Sequence, residues 1–435
     1  MSSSCISQDV HVGSRKKIRR LCYVSGQPTV MNAGSSYLSH YSFRIVYYPT
    51  AYFPEVTLVA PSAPISTLPE GSNRVAVSKL ENMKVRPLPA PNLRPLRWLR
   101  QWLVLWDCIG KADVVCANIP EESGFLAAVI CKLRKKPLLV QVLGDWEIAV
   151  LFAGRPGIIR TIKSWFGEWM TRVTVRAASL VFTQGQALLE KCALLNSAAT
   201  QSAFAHSTVT DEVFFENNLV GFHQPLRILT VCTLEPRKGL QVLAGALRSL
   251  LVRGLSFEWW CVGRGPSEQA LKELTKSLGI SESVKFIGYL PHGPELFQLY
   301  READIFVLPS FHEGIPNAIL EAMANSMPIV TTDVGSLRQV ITDGVEGVLI
   351  PSGEPQLLAH AISGLAQDPD TAKLMGRAAY RRVQDYRAGA WSQAHHSLIE
   401  TVFGTIEPTR PSGMSSALIP LRTEEVCLIG KSPDV

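Results

Sequence analysis

From residue 225 onward the chain repeats one unit: a short apolar run, a turn holding Gly or Pro, then an amphipathic segment. It is read in "PLRILTVCTLEPRKGLQVLAGALRSLL", "FEWWCVGRGPSEQALKELTKSLGI", "SVKFIGYLPHGPELFQLYREADIFVLPS" and "MPIVTTDVGSLRQVI". Near-continuous apolar strands alternating with helices bury both faces of a sheet, which only a parallel sheet covered by helices on both sides allows. The first half carries the same order less regularly, in "KIRRLCYVSG", "FPEVTLVAPSAP", "RPLRWLRQWLVLWDCIGKADVVCANIP", "ESGFLAAVICKLRKKPLLVQVLGDWE" and "ASLVFTQGQALLEKC". With 435 residues the chain exceeds one ordinary core. The reading is α/β, with two doubly wound Rossmann-like domains. A flexible leader over 1–17 precedes a first domain over 18–215. A second domain follows over 222–385, then a closing helix over 386–405 and a loosely ordered tail over 406–435. Within the first domain, "PTVMNAGSSYLS" reads as a loop opening into a helix, and 61–95 as irregular.

Composition narrows the class. An apolar fraction of 46% with 18% charged residues describes a packed globular chain. The net charge of +6 suits an anionic small molecule, a membrane surface or nucleic acid and selects none of them; nucleic acid is not expected as a partner. The nine cysteines are scattered without a C-x-x-C pair, so neither a zinc site nor a disulfide framework is expected, and a cytoplasmic location is. No apolar stretch follows the basic residues of the N-terminus, and no run reaches the roughly 18 residues of a membrane span.

Ligands of such sheets bind beyond the carboxyl ends of the strands. Four loops of the second half lie there: 233–239, 263–267, 288–293 and 309–317. Gly263 and Gly265 permit close backbone approach to a ligand, but G-x-G-x-x-G and G-x-x-x-x-G-K-[ST] are both missing. Arg237 and Lys238 precede a helix start, where amides and dipole favour an anion and each cation costs about 0.3–1 kcal/mol. That pattern suits a diphosphate. In "PSFHEGIPNAILEAMANSMP", Pro316 fits a first helical turn. The amides of Gly314, Ile315 and Asn317 then face a phosphate, with Glu321 placed for ribose hydroxyls and Glu313 for a sugar. The alternative makes Glu321 an exposed helix residue and Glu313 a complement to the helix dipole.

The stretch "PSFHEGIPNAILEAMANSMPIVTTDVGSLRQVITDGVEGVLIP" resembles the Glu-x7-Glu region of the retaining family 4 glycosyltransferases, and "TLEPRKGL", "CVGRGPSEQALKEL" and "VKFIGYLPHGPELFQLYREADIFVLPS" continue the likeness upstream. The resemblance implies a GT-B fold, its two domains facing across a cleft. It implies that Glu313 contacts the donor hexose, Glu321 the ribose and Lys238 the diphosphate, and that the loop holding Tyr289 and Leu290 reads the base. The family's arginine falls at Thr233, and Arg237 is the candidate to replace it. Gly34 matches the glycine-rich loop beside the donor phosphate. Leu143 stands where many members have histidine, so Asp145 becomes the acceptor-side candidate, a helix-capping role being its alternative.

These parts predict a retaining transfer of a hexose from a UDP- or GDP-type sugar to a glycan or lipid-linked acceptor, as in cell-surface polysaccharide or glycolipid biosynthesis. No metal and no cofactor are called for. Front-face attack, with the leaving phosphate taking the acceptor proton, is preferred to a carboxylate nucleophile. A catalytically silent sugar-nucleotide-binding protein is the competing reading, and a nicotinamide oxidoreductase is disfavoured by the missing fingerprint. "RPLRWLRQWLVLW" and "RPGIIRTIKSWFGEWMTRVTVR" mix arginine with tryptophan and predict peripheral contact with the inner face of a membrane; the alternative makes them ordinary helices covering the sheet.

Overall fold

The structure, a computed structural model, describes residues 17–32, 35–39, 46, 50, 52–64, 74–77, 82–89, 95–144, 158–204, 207, 209–217, 221–387 and 390–407. Gly34, Asp145 and the bulk of the leader and tail lie outside them.

Two sheets organise the chain. The first joins β1 (Arg20–Val24), β2 (Thr29–Asn32), β3 (Ser35–Ser39), β4 (Glu55–Pro64), β5 (Arg74–Ala76), β6 (Met83–Leu88), β7 (Val114–Ile119), β8 (Leu138–Val142), β9 (Leu180–Gln184) and β10 (Thr200–Phe204). Its order is β10-β9-β8-β7-β1-β4-β2-β3-β5, with β6 also on β4, and all pairs are parallel except those made by β3. The stretch read as a loop opening into a helix is therefore the antiparallel pair β2–β3. The stretch read as irregular contains the end of β4, β5 and all of β6. Pro61, Pro64 and Pro87 misled that reading: Pro61 and Pro64 lie past the residues of β4 that pair with β1, and among the described residues β6 pairs with β4 alone.

On one face of this sheet lie α1 (Pro95–Lys111), α2 (Glu122–Arg134), α3 (Ile158–Ala177) and α4 (Gln186–Leu195). Leu105 and Ile109 of α1, Leu126 and Ile130 of α2 and Val175 of α3 pack into one core with Val24, Val115 and Val140.

The second sheet is wholly parallel: β11 (Leu226–Val231), β12 (Phe257–Val262), β13 (Val284–Gly288), β14 (Ile305–Leu308), β15 (Ile329–Thr332) and β16 (Val348–Ile350), in the order β13-β12-β11-β14-β15-β16. Its helices are α5 (Leu240–Val252), α6 (Glu268–Ser277), α7 (Pro294–Glu302), α8 (Asn317–Ala324), α9 (Pro355–Gln367) and α10 (Pro369–Val383). Every residue of β14 and β15 is buried, as apolar runs without alternation require.

The two halves exchange segments. Val209 and Val213, which the sequence reading put in the first domain, join the core under the second sheet, and the Phe215 amide donates to the Ala324 carbonyl at 2.8 Å. Conversely α11 (Ala390–Phe403) returns to the first sheet: Ile399 and Ile406 enter its core and His395 stacks on Phe182 at 3.7 Å. Ile406, read as the start of a loose tail, bridges to Ile18. No helix among the described residues is long and apolar enough to cross a membrane.

Candidate active site

The strand order fixes where the crevice opens. From β11 the second sheet grows through β12 and β13 on one side, then restarts at β14 on the other. Connections leaving β11 and β14 therefore diverge onto opposite faces, and their loops part at the carboxyl edge. The loop after β11 ends in the 3-10 turn Pro236–Lys238, capped by Gly239 at φ +66°. A Cβ on Gly239 would lie 2.0 Å from the Pro309 carbonyl oxygen, and the Phe311 amide donates to the Arg237 carbonyl at 2.8 Å. Only glycine lets the two loops meet so closely.

That contact brings Lys238 to Glu313. Lys238 Nζ donates to Glu313 Oε1 at 2.5 Å, and Ser310 Oγ donates to the same oxygen at 2.7 Å. The Arg237 guanidinium lies 3.7 Å from Glu313 Oε2 and donates through Nε to Glu235 at 2.7 Å. Lys238 is buried and Glu313 is only 6% exposed. The cost read in the sequence for a cation beside a helix start is offset here by a carboxylate. Glu313 neutralises Lys238, and neither charge is tolerable there without a partner.

Glu321 lies on α8, whose N-cap is Pro316, one position earlier than a first helical turn would place it. It is 5% exposed, which removes the exposed-helix alternative. The buried Tyr300 hydroxyl donates to Glu321 Oε2 at 2.9 Å, and His292 Nε2 stands 3.4 Å from Oε1. One carboxylate at each end of the 313–321 stretch is therefore held inward, each by a different set of partners. Gly314, Ile315, Pro316 and Asn317 form the connection between them.

Gly263 and Gly265 lie tight against a neighbouring loop. A Cβ on Gly263 (φ +133°) would fall 1.8 Å from the Cys232 carbonyl oxygen, and one on Gly265 would fall 2.4 Å from that of Leu234. The close approach they permit is to the backbone of the β11 loop. Gly335 does the same for Glu313, whose carbonyl a Cβ would meet at 1.7 Å. Beside this loop Tyr289 is exposed, whereas Leu290 packs against the core. Thr233 is exposed on the β11 loop.

From the first sheet, Gln184 and Gly185 at the end of β9 reach Gly314 and Ser336. That sheet has its own divergence between β1 and β7. There the Gly26 amide donates to the Glu121 carboxylate, and burial pushes the Glu121 carboxyl up to about 7. Of the residues read for the acceptor side, Gly34 and Asp145 lie outside the described residues. Glu121, His292, Tyr300 and Ser310 were missed. The available signal for Glu121 was its position directly after a strand in "ANIPEESG". Tyr300 and His292 gave none, since they meet Glu321 only through the fold.

Residues 225–368, which hold Lys238, Glu313 and Glu321, match the family model described as glycosyl transferases group 1. The amylovoran biosynthesis glycosyltransferase AmsK of Erwinia amylovora is 39% identical over 33% of this chain and 37% of its own length. The putative colanic acid biosynthesis glycosyltransferase WcaL of Salmonella typhimurium is 31% identical over 41% of this chain and 46% of its own. The chain thus spans less than half the length of these relatives. Over nearly the whole chain the fold is shared with Anabaena HepE in complex with UDP-glucose, at a TM-score of 0.68 and 16% identity, covering 88% of this chain and 99% of that one. The chain has the GT-B fold, and its residues 225–368 match the model of the group 1 glycosyl transferases.

Proposed function

We propose that the protein is a retaining glycosyltransferase that moves a hexose from a UDP- or GDP-type sugar to a glycan or lipid-linked acceptor in cell-surface polysaccharide or glycolipid biosynthesis. The observation that carries this reading is the buried Lys238–Glu313 pair where the second sheet diverges, within the segment matching the group 1 glycosyl transferases. The ammonium is held by Glu313. A donor diphosphate takes over Lys238, with Arg237 beside it, and frees Glu313 to accept hydrogen bonds from the hexose. The leaving diphosphate is then stabilised by fixed charge where its own charge builds up. Glu321, set by Tyr300, holds the ribose. Names of relatives support the acceptor class: AmsK and WcaL are named for amylovoran and colanic acid biosynthesis.

The test offers labelled UDP- and GDP-hexoses with lipid-linked and free glycan acceptors, and follows sugar transfer and the anomeric configuration of the product. Transfer with retained configuration is expected. Binding without transfer would favour a silent sugar-nucleotide-binding protein, and an inverted product would remove the retaining mechanism.

A further inference from the structure

We infer that the outer face of α1, α2 and α3 is a docking surface for an anionic lipid bilayer. Tryptophans on sheet-covering helices ordinarily point inward. Here Trp98, Trp106, Trp165 and Trp169 all face outward, and Trp165 is 71% exposed. Leu99, Leu103 and Ile162 stand with them, Leu103 at 58%. Monomeric proteins scatter exposed apolar residues singly, so two such groups on one helical layer indicate a surface that meets something apolar.

The rings are braced. The Arg134 guanidinium lies 4.6 Å from the Trp106 ring centroid, Trp102 stacks on Trp106, and Trp169 sits between Phe125 of α2 and Phe166 of its own helix. All three helices run back from the carboxyl ends of strands. The exposed groups run from Trp98 to Trp106 on α1 and from Ile162 to Trp169 on α3. An open groove lined by Pro87, Leu88, Pro89, Arg100, Leu103 and Val104 runs beside α1, apolar in its walls with an arginine among them.

Charge selects the occupant. Acidic residues on the three helices are limited to Asp107, Glu122 and Glu168. Asp107 is held by Lys111, and Glu168 by Arg172 and Lys191. Exposed Arg100 and Lys132 add to a cationic surround that a second copy of this same face would repel. Tryptophan among arginines suits the headgroup layer, where an amphipathic ring has one apolar and one wet side. Anionic lipid meets both requirements. The inference adds a surface to the proposed acceptor class without depending on it, because vesicle binding is read without any sugar transfer.

The experiment is flotation of the full chain with vesicles of phosphatidylcholine plus phosphatidylglycerol, against vesicles of phosphatidylcholine alone. The parent protein is expected to float with the anionic vesicles and to stay at the bottom with neutral ones. Leu103→Glu with Trp165→Glu should lower the floating fraction by about ten-fold, and Arg100→Ser should lower it less and flatten its salt dependence. Leu374→Glu, equally exposed but on α10, should float like the parent, and all variants should keep the parent's UDP titration. A parent that stays at the bottom at low salt would overturn the inference. So would glutamate variants that float like the parent, or a parent dimer that they dissociate.

Discussion

Replacing Glu313 with glutamine should tighten binding of a plain nucleoside diphosphate while transfer collapses. Lys238 Nζ is engaged at 2.5 Å by Glu313 and buried beside it. An incoming diphosphate must compete with that carboxylate for the ammonium. Glutamine keeps an oxygen for the Ser310 hydroxyl but loses the charge. A charge-assisted hydrogen bond is worth about 1.5–3 kcal/mol against about 1 for a neutral one. Removing the competitor should therefore improve UDP affinity by roughly ten-fold. The empty variant should be less stable, since an ammonium left unpaired in a buried site costs about 3 kcal/mol, and saturating UDP should restore much of that loss. Calorimetric titration with UDP and thermal melts with and without it read both effects. Weaker UDP binding in the variant, or a ligand-free melting temperature equal to the parent's, would refute the reasoning.

Glu321→Ala should raise KM for the donor more than it lowers kcat, as loss of uniform binding requires; steady-state kinetics over donor concentration checks this. Tyr300→Phe should move the same parameter by about ten-fold or less, since it removes one hydroxyl donor, at 2.9 Å, and leaves the carboxylate in place. Glu121→Gln should change the pH dependence of stability. The folded protein holds this carboxyl up at about 7 from an ordinary 4.5, so it favours the protonated form. That stabilisation is complete below about pH 4.5 and gone above about 7. Glutamine stays neutral, so thermal melts should match the parent near pH 4 and exceed it at pH 8, by at most about 3 kcal/mol. No gain at pH 8 would remove the buried-carboxyl account.

The second half was legible because local pattern and global fold agree there. Its strands are largely apolar runs, and the candidate site residues Lys238 and Glu313 sit on connections leaving those strands, with Glu321 on α8. Glu313, Lys238 and Glu321 stood out as candidates by type and spacing, with other readings open until the family resemblance singled them out. What holds them did not. Lys238 meets Glu313 across 75 positions of sequence, and Tyr300 reaches Glu321 from another helix. Gly263 and Gly265 looked like ligand-facing glycines because sequence shows conformational freedom but not which neighbour uses it. In the first half, proline masked the end of β4 and all of β6. The swap of α11 onto the first sheet was invisible, since an amphipathic helix does not name the surface it covers.

The central claim is that Lys238 neutralises a donor diphosphate during sugar transfer. It is tested most directly by the rate of nucleoside diphosphate release from a sugar donor, with acceptor present, in the parent, Lys238→Ala and Arg237→Ala. Loss of a charge stabilising the leaving group should cost Lys238→Ala about two to three decades. Arg237, 3.7 Å from Glu313 and bonded to Glu235, should cost less. A Lys238→Ala rate equal to the parent's would contradict the account.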